Sequence, residues 1–321
     1  MESSILKPLN IGKITIPLPI LQGGMAIRVS TAPLAGAVAR EGAGGIIAAT
    51  GMDDEELKSQ IKLARKISEG NGAIGINVMY AYSEFERVVK TAIAEGIDFV
   101  ATGAGFSRDI YKWAKDSNTP ILPIVSSAKL ARLAEKLGAS AIILEGTEAG
   151  GHLGTDRSTW DIMPEILEVI SVPLIVAGGI YSGKEMAKAL KMGAKGVQVA
   201  TRFALSEECD VSPVFKKVLL EAKAEDIVKI MSSVGFPGRA ILTPLSRKII
   251  EGRAPKPETC EGCIKKCTRT FCIRLALESA RLGDYENGLF FSGSNVFRYS
   301  DILPVKTIIE NFVHEAEEEL S

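Results

Sequence analysis

The sequence predicts an α/β protein, a (β/α)8 or TIM barrel with a mostly helical C-terminal insertion that caps the barrel mouth. Eight short apolar runs alternate with amphipathic helical stretches between residues 18 and 203. The runs are rich in Ile and Val without strict alternation, which is typical of parallel strands buried on both faces. No run is followed by a G-x-G-x-x-G turn with an acidic residue about twenty positions later, which argues against an open dinucleotide-binding sheet.

The predicted elements follow this alternation along the chain. Helical stretches are expected between the strands, and several of them end in glycine, at Gly96, Gly138 and Gly193. The eight predicted strands are 19–22, 45–49, 74–78, 99–102, 121–125, 141–144, 174–177 and 196–200, and the clearest predicted helices are 54–67, 83–94, 128–137 and 184–192.

The rhythm changes after residue 203, so we divide the chain into three segments. Residues 1–204 form the barrel body, 205–285 the capping insertion, and 286–321 a C-terminal segment that docks back on the barrel. Within them we expect helices at 213–223, 272–282 and 305–319, the last closing the barrel beside the first strand. A Pro-Gly pair predicts a loop at 236–239.

Composition excludes several classes of protein. The 321 residues are 46% hydrophobic and 24% charged with a net charge of −1, so no basic surface predicts a nucleic-acid or anionic-lipid partner. Residues 1–19 lack a long apolar run and a cleavage site, and no apolar run reaches membrane-spanning length. We therefore expect a cytoplasmic protein without a membrane partner, and the sequence leaves a homodimer open.

The predicted strand ends carry a glycine-rich set of residues where barrel enzymes place their reacting groups. Glycine there lets a backbone approach a flat ring or a phosphate closely. Loops after the seventh and eighth strands commonly bind phosphate, although a Gly-Gly pair can also be only a tight turn. The candidate binding residues are Gly23, Gly24, Met25, Asn77, Glu145, Gly150, Gly151, Gly178, Gly179, Gln198, Ala200 and Thr201.

Two amides in this set have alternative roles. Asn77 can bond the edge of a heterocycle or cap a loop. Gln198 interrupts a run of buried strand residues, and a buried amide must find partners, so it either bonds a ligand or braces a neighbouring loop.

His152 is the candidate acid–base residue. It follows the sixth predicted strand, in Glu148-Ala149-Gly150-Gly151-His152, and the chain has one other histidine, His314, on a predicted surface helix. An imidazole exchanges protons near neutral pH, and flanking glycines allow it to lie over a planar ligand.

Five segments together resemble the nitronate monooxygenases (2-nitropropane dioxygenases) and the flavin-dependent enoyl-ACP reductases. They are residues 19–25 (PILQGGM), 75–79 (GINVM), 148–152 (EAGGH), 176–180 (VAGGI) and 196–203 (GVQVATRF), in the family's order. The resemblance implies FMN as cofactor, bound through the residues above, and gives His152 the role of acid or base near the flavin N5. At Glu145 many members carry Gln, and at Ala200 the family usually has Gly.

The resemblance leads to two alternative reactions. The first is oxidation of alkyl nitronates, with the flavin reoxidised by O2. The second is NADH-dependent reduction of an enoyl thioester on the same barrel. A sugar-phosphate lyase or isomerase would need a lysine or paired carboxylates at the strand ends, and the sequence offers neither there.

Four cysteines crowd into the predicted cap as Cys260-x2-Cys263-x3-Cys267-x4-Cys272. Four thiolates at such spacing could hold zinc or an iron–sulfur cluster, although the spacing is not that of bacterial ferredoxins. The alternative is a set of reduced cysteines packed in a small cap.

Overall fold

The computed structural model describes residues 5–321, which begin with an antiparallel hairpin of β1 (Leu9–Ile11) and β2 (Ile14–Ile16). Its apolar side chains are buried among Phe99 and Ile143 of the barrel interior. The hairpin therefore closes the N-terminal end of the barrel. The first four residues of the predicted barrel body lie outside the described part.

Eight parallel strands close into the predicted barrel. They are β3 (Ile20–Gln22), β4 (Gly44–Ala48), β5 (Ala73–Met79), β6 (Phe99–Gly103), β7 (Ile121–Val125), β8 (Ile142–Glu145), β10 (Leu174–Ala177) and β11 (Gly196–Val199), with β9 (Gly151–His152) outside the barrel. Pairing of β11 with β3, in which Val197 faces Ile20, completes the ring. The barrel prediction is confirmed, and each strand end lies within about one residue of its predicted place.

Helices cover the outside of the barrel and form much of the cap. They are α1 (Ala32–Arg40), α2 (Asp54–Ser68), α3 (Phe85–Ala94), α4 (Ile110–Lys115), α5 (Ala128–Leu137), α6 (Thr159–Leu167), α7 (Gly183–Lys191), α8 (Thr201–Ala204), α9 (Pro213–Glu221), α10 (Pro244–Ile250), α11 (Ile273–Leu282) and α12 (Val305–Leu320). Side chains of Asp53, Ser127 and Ser182 accept backbone N–H groups at the starts of α2, α5 and α7. Among residues 5–321, no helix is long and apolar enough to span a bilayer.

The last helix supplies the outer layer that the one-turn α8 cannot. Helix α12 packs against α7 and α1 and buries Ile308, Ile309 and Phe312. The last helix therefore lies between the helices that follow the seventh and the first barrel strands. At the contact, Glu315 Oε2 accepts the N–H of Gly183 at 2.9 Å.

The cap, residues 205–285, contains α9, α10 and α11 together with a hairpin of β12 (Ile227–Met231) and β13 (Pro237–Ile241). The predicted loop at 236–239 is wrong, because residues 237–239 begin β13. Pro237 stands at the start of the strand, where a missing N–H is tolerated. Gly238 pairs with His152 of β9, so a three-stranded sheet joins the cap to the loop after β8.

We predict that Gly183→Ala destabilises the protein. A Cβ at Gly183 would lie 2.4 Å from the Phe312 carbonyl oxygen and 2.6 Å from Glu315 Cβ, so α7 and α12 must separate. The free energy of unfolding in urea should fall by about 1–3 kcal/mol, the usual cost of overpacking. Lys184→Ala, at an exposed position of the same helix, should change it little, and equal stability of both variants would contradict the packing argument.

Candidate active site

One cavity lies at the C-terminal ends of the barrel strands, beneath the cap. It is lined by His152 and by all twelve predicted binding residues: Gly23, Gly24, Met25, Asn77, Glu145, Gly150, Gly151, Gly178, Gly179, Gln198, Ala200 and Thr201. Residues far apart in the sequence meet here because the barrel brings every strand end to one rim.

Glycines shape the two sides of the cavity that the sequence assigned to a ring and a phosphate. A Cβ at Gly24 would lie 2.3 Å from Asn77 Cβ, so the asparagine packs directly on the glycine loop. On the other side, Gly178 and Gly179 have φ values of +84° and +82°. Such left-handed backbone is suited to a concave turn whose N–H groups face an anion.

Gln198 carries an amide oxygen that lacks a partner. Among the described residues, Gln198 Oε1 is buried and accepts no hydrogen bond. Gln22 on the adjacent strand differs, because its Oε1 accepts the Ile46 N–H at 3.0 Å and its amide donates to the Gly23 carbonyl. Since buried polar atoms are nearly always bonded, this favours a ligand partner for Gln198 over a loop brace.

Glu148 fixes the loop that carries His152. Its carboxylate accepts the Ser158 hydroxyl at 2.6 Å and both the N–H and the hydroxyl of Thr159 at 3.0 Å. These groups belong to the N-terminus of α6, where a negative charge is stabilised. Glu148 therefore has a structural role beside the cavity.

His152 is held by the cap. Its backbone pairs with Gly238, and its Nε2 lies 2.9 Å from Ser232 Oγ in the turn of the β12–β13 hairpin. The ring makes an edge contact with Phe291, at 5.5 Å between centroids. The imidazole is thus fixed on three sides at the wall of the cavity.

Burial shifts the pKa values of two rim residues, Glu145 and His152, in opposite directions. Desolvation raises the pKa of Glu145 to about 8 and lowers the pKa of His152 to about 4, since burial penalises each charged form. At neutral pH the carboxyl group is therefore mainly protonated and the imidazole is neutral.

The cysteine segment lies along the rim of the cavity. Within residues 5–321, no group of three or more His, Cys, Asp or Glu side chains is arranged to hold a metal, so the structure does not support zinc or an iron–sulfur cluster at Cys260, Cys263, Cys267 and Cys272. Lys265 donates to the Ala81 carbonyl, and Thr268 donates to the Ser233 carbonyl, which stretches the segment over the rim. Of the four cysteines, Cys263 lines the cavity.

Sequence reasoning missed the residues that the cap contributes. Ser232 bonds His152, and Arg239 donates to the carbonyls of Ala149 and Thr147, which fixes the loop before the histidine. Ser232 and Arg239 lie in the β12–β13 hairpin, part of which the sequence predicted as a loop, and neither residue belongs to a recognisable motif. Their roles depend on strand β13, which pairs with β9, more than eighty positions earlier in the sequence.

The cavity has features that fit a flavin nucleotide. It joins an unpartnered amide oxygen at Gln198 to glycine loops with little side-chain volume and to the left-handed turn at Gly178 and Gly179. A planar heterocycle needs polar partners at its edge, and a phosphate needs backbone N–H groups.

A closed barrel with such a cavity at its strand ends defines a TIM-barrel enzyme that binds a phosphate-bearing cofactor. The chain belongs to the nitronate monooxygenase family, whose sequence profile matches residues 7–315. The protein is accordingly an FMN-dependent oxidoreductase.

Individual relatives spread over several activities. A carboxyl-CoA dehydrogenase of Mycobacterium tuberculosis is 30% identical over 74% of this chain, which spans 67% of that protein. A probable nitronate monooxygenase of Staphylococcus aureus is 26% identical over 94% of this chain and 95% of its own length. The structure of FabK from Thermotoga maritima is 34% identical, covers 97% of this chain and 95% of its own, and superposes with a TM-score of 0.84.

We predict that Glu145→Gln stabilises the protein at neutral pH. The folded pKa of about 8 lies above the ordinary 4.5, so the native state holds a proton that the unfolded chain releases, and stability falls as pH rises between these values. Glutamine removes that cost. Urea unfolding should show a gain that grows from about pH 5 to pH 8 and reaches on the order of 1–3 kcal/mol.

Glu286→Gln, which removes an exposed carboxyl group, is the control and should show no such trend. A gain for Glu145→Gln that is constant with pH would contradict the raised pKa.

Proposed function

We propose that this FMN-dependent oxidoreductase reduces an α,β-unsaturated acyl thioester with NADH as electron donor. The observation that carries the proposal is the character of the cavity wall above the predicted flavin, which is apolar and has no unpaired cation among the described residues. This reverses the order of the two reactions expected from sequence. A cytoplasmic homodimer stays a prediction.

FMN would be held by the residues that the sequence singled out. Gly23, Gly24 and Met25 would lie against the ring and Asn77 at its edge, with Gln198 supplying its unpartnered oxygen. Of the remaining positions, Gly150, Gly151, Gly178, Gly179, Ala200 and Thr201 would surround the ribityl chain and the phosphate, and Glu145 would lie beside them in the cavity lining. When bound, FMN supplies hydride transfer between donor and substrate.

The cap provides the apolar wall. Phe215 and Leu219 from α9 and Ile273 and Leu277 from α11 line the cavity together with Leu289. Burial of an acyl chain against such side chains is favourable by about 0.8 kcal/mol per CH2 group. A substrate with an extended apolar part therefore suits this wall better than a short nitroalkane.

The charges of the cavity also favour a neutral substrate. Of the described lysines and arginines, Arg274 alone lines the cavity, and its Nη2 already lies 2.6 Å from Glu261 Oε1. His152 is neutral at pH 7 because burial lowers its pKa to about 4. A nitronate anion would thus be desolvated without a free positive partner, which is costly.

Nitronate oxidation is the second candidate. It is supported by the family match over residues 7–315 and by the nearly full-length similarity to the probable nitronate monooxygenases of Staphylococcus aureus. The carboxyl-CoA dehydrogenase relative supports a thioester instead.

His152 would act from the wall of the cavity in either reaction. As a neutral imidazole it can donate one ring N–H to an oxygen that gains negative charge, such as the carbonyl oxygen of a thioester. Phe291 and Ser232 hold the ring in place.

Anaerobic titration of the FMN-loaded protein tests the choice of reaction. Adding NADH should bleach the flavin absorbance near ~450 nm, and a subsequent enoyl thioester should restore it. Bleaching by an alkyl nitronate but not by NADH would overturn the thioester proposal in favour of the second candidate. Failure to bind FMN at all would contradict the cofactor assignment.

The length of the substrate's acyl chain tests the role of the apolar wall. Leu277→Ala should lower kcat/KM for a long-chain enoyl thioester by about tenfold more than for a four-carbon one, because it shortens the apolar wall. Leu275 lies on the same helix but is 52% exposed, so Leu275→Ala should leave the ratio unchanged.

We predict that His152→Ala lowers turnover by about 10²–10⁴-fold, the scale for loss of a proton-transferring or hydrogen-bonding catalytic group. FMN retention should persist, since the ring and phosphate positions are unchanged. His314→Ala is the control, because His314 is 73% exposed on α12. A flavin-loaded His152→Ala variant with normal turnover would remove the residue from the mechanism.

A further inference from the structure

The histidine of the cavity wall and the serine of the cap hairpin form a hydrogen-bonded pair that the flavin chemistry does not require. Ser232 is fully buried, and its Oγ lies 2.9 Å from His152 Nε2. The two residues belong to different parts of the chain, the barrel loop after β8 and the turn after β12.

Backbone pairing fixes the distance between the two side chains. The pairing of Gly238 with His152 and of Arg239 with Gly151 locks β9 to the hairpin, and the Leu153 N–H donates to the Pro237 carbonyl at 2.8 Å. The position of the hydroxyl relative to the imidazole is therefore set by the main chain.

The hydrogen bonds of Ser232 determine which member of the pair donates the shared hydrogen. Its Oγ accepts the Val234 N–H at 3.2 Å, and a hydroxyl also has one hydrogen to donate. Among the described residues, His152 Nε2 is the only group placed to accept that hydrogen. If Nε2 carried the ring hydrogen, the buried hydroxyl hydrogen would have no acceptor, at a cost of about 1–3 kcal/mol.

We propose that Ser232 is a positioning residue that donates its hydroxyl hydrogen to His152 Nε2 and so holds the ring proton on Nδ1. Nδ1 has no hydrogen-bond partner among the described residues, and His152 lines the cavity. The N–H available to a ligand is therefore Nδ1–H. This deepens the proposed function, because it makes His152 a hydrogen-bond donor to the substrate oxygen.

Nitrogen NMR of protein labelled with 15N-histidine tests the tautomer directly. The chain contains two histidines, so the spectrum has two imidazoles, and the exposed His314 serves as reference. In the FMN-loaded protein without substrate, His152 should show a protonated Nδ1 and a bare Nε2. A protonated Nε2 in the wild-type protein would overturn the proposal, whatever reaction the enzyme performs.

Ser232→Ala should release the ring, so that both tautomers are populated, and turnover should fall by about 10–100-fold, less than for loss of the imidazole itself. Ser233→Ala is the matched control, because Ser233 is equally buried in the same turn but its Oγ has no partner among residues 5–321. It should keep the wild-type tautomer and turnover within about twofold, well below the loss expected on removing a catalytic group. A fall in turnover of Ser232→Ala with an unchanged tautomer would overturn the positioning role.

Discussion

The hydrogen bonds between β11 and β3 are the constraint on which the rest of the structure depends. They close the sheet, and the Gly23 N–H continues the seam by donating to the Val199 carbonyl at 2.8 Å. Without this closure, the glycine loop after the first barrel strand would not face the loop after the last. Every strand end then points to one rim, so residues scattered from Gly23 to Thr201 bound a single cavity.

Burial at this rim shifts the pKa values of both Glu145 and His152. The raised pKa keeps the Glu145 carboxyl group protonated at neutral pH, and the lowered pKa keeps the His152 imidazole unprotonated, so both side chains are uncharged. The shared cause is the loss of water around each charged form. As a result, these two side chains present uncharged hydrogen-bonding groups to the cavity, beneath the apolar helices of the cap. Under the proposed function, electrostatics and packing both favour a neutral substrate with an apolar part.

The barrel and the set of residues that line its cavity were predictable because their signals are local. Buried parallel strands appear as apolar runs, and each strand end specifies where the next loop residue will stand. The β13 strand was mistaken for a loop because Pro237 and Gly238 usually mark turns, whereas its pairing with Gly151 and His152 comes from a distant part of the chain. Ser232 was missed for the same reason. The cysteine spacing suggested a metal, but among the described residues the thiols are not arranged to hold one, and spacing along the chain does not determine how side chains are directed.

The ladder between β9 and β13 also constrains how such proteins can diverge. The histidine loop takes main-chain partners from the cap, and Arg239 of the cap bonds the carbonyls of Ala149 and Thr147. The two segments therefore form one structural unit, although the last two barrel strands, β10 and β11, lie between them in sequence. A chimera that exchanges the cap for that of a relative, in order to change specificity, must transplant residues 147–153 with it. Otherwise the loop that carries His152 would lack the main-chain partners that its own hairpin provides.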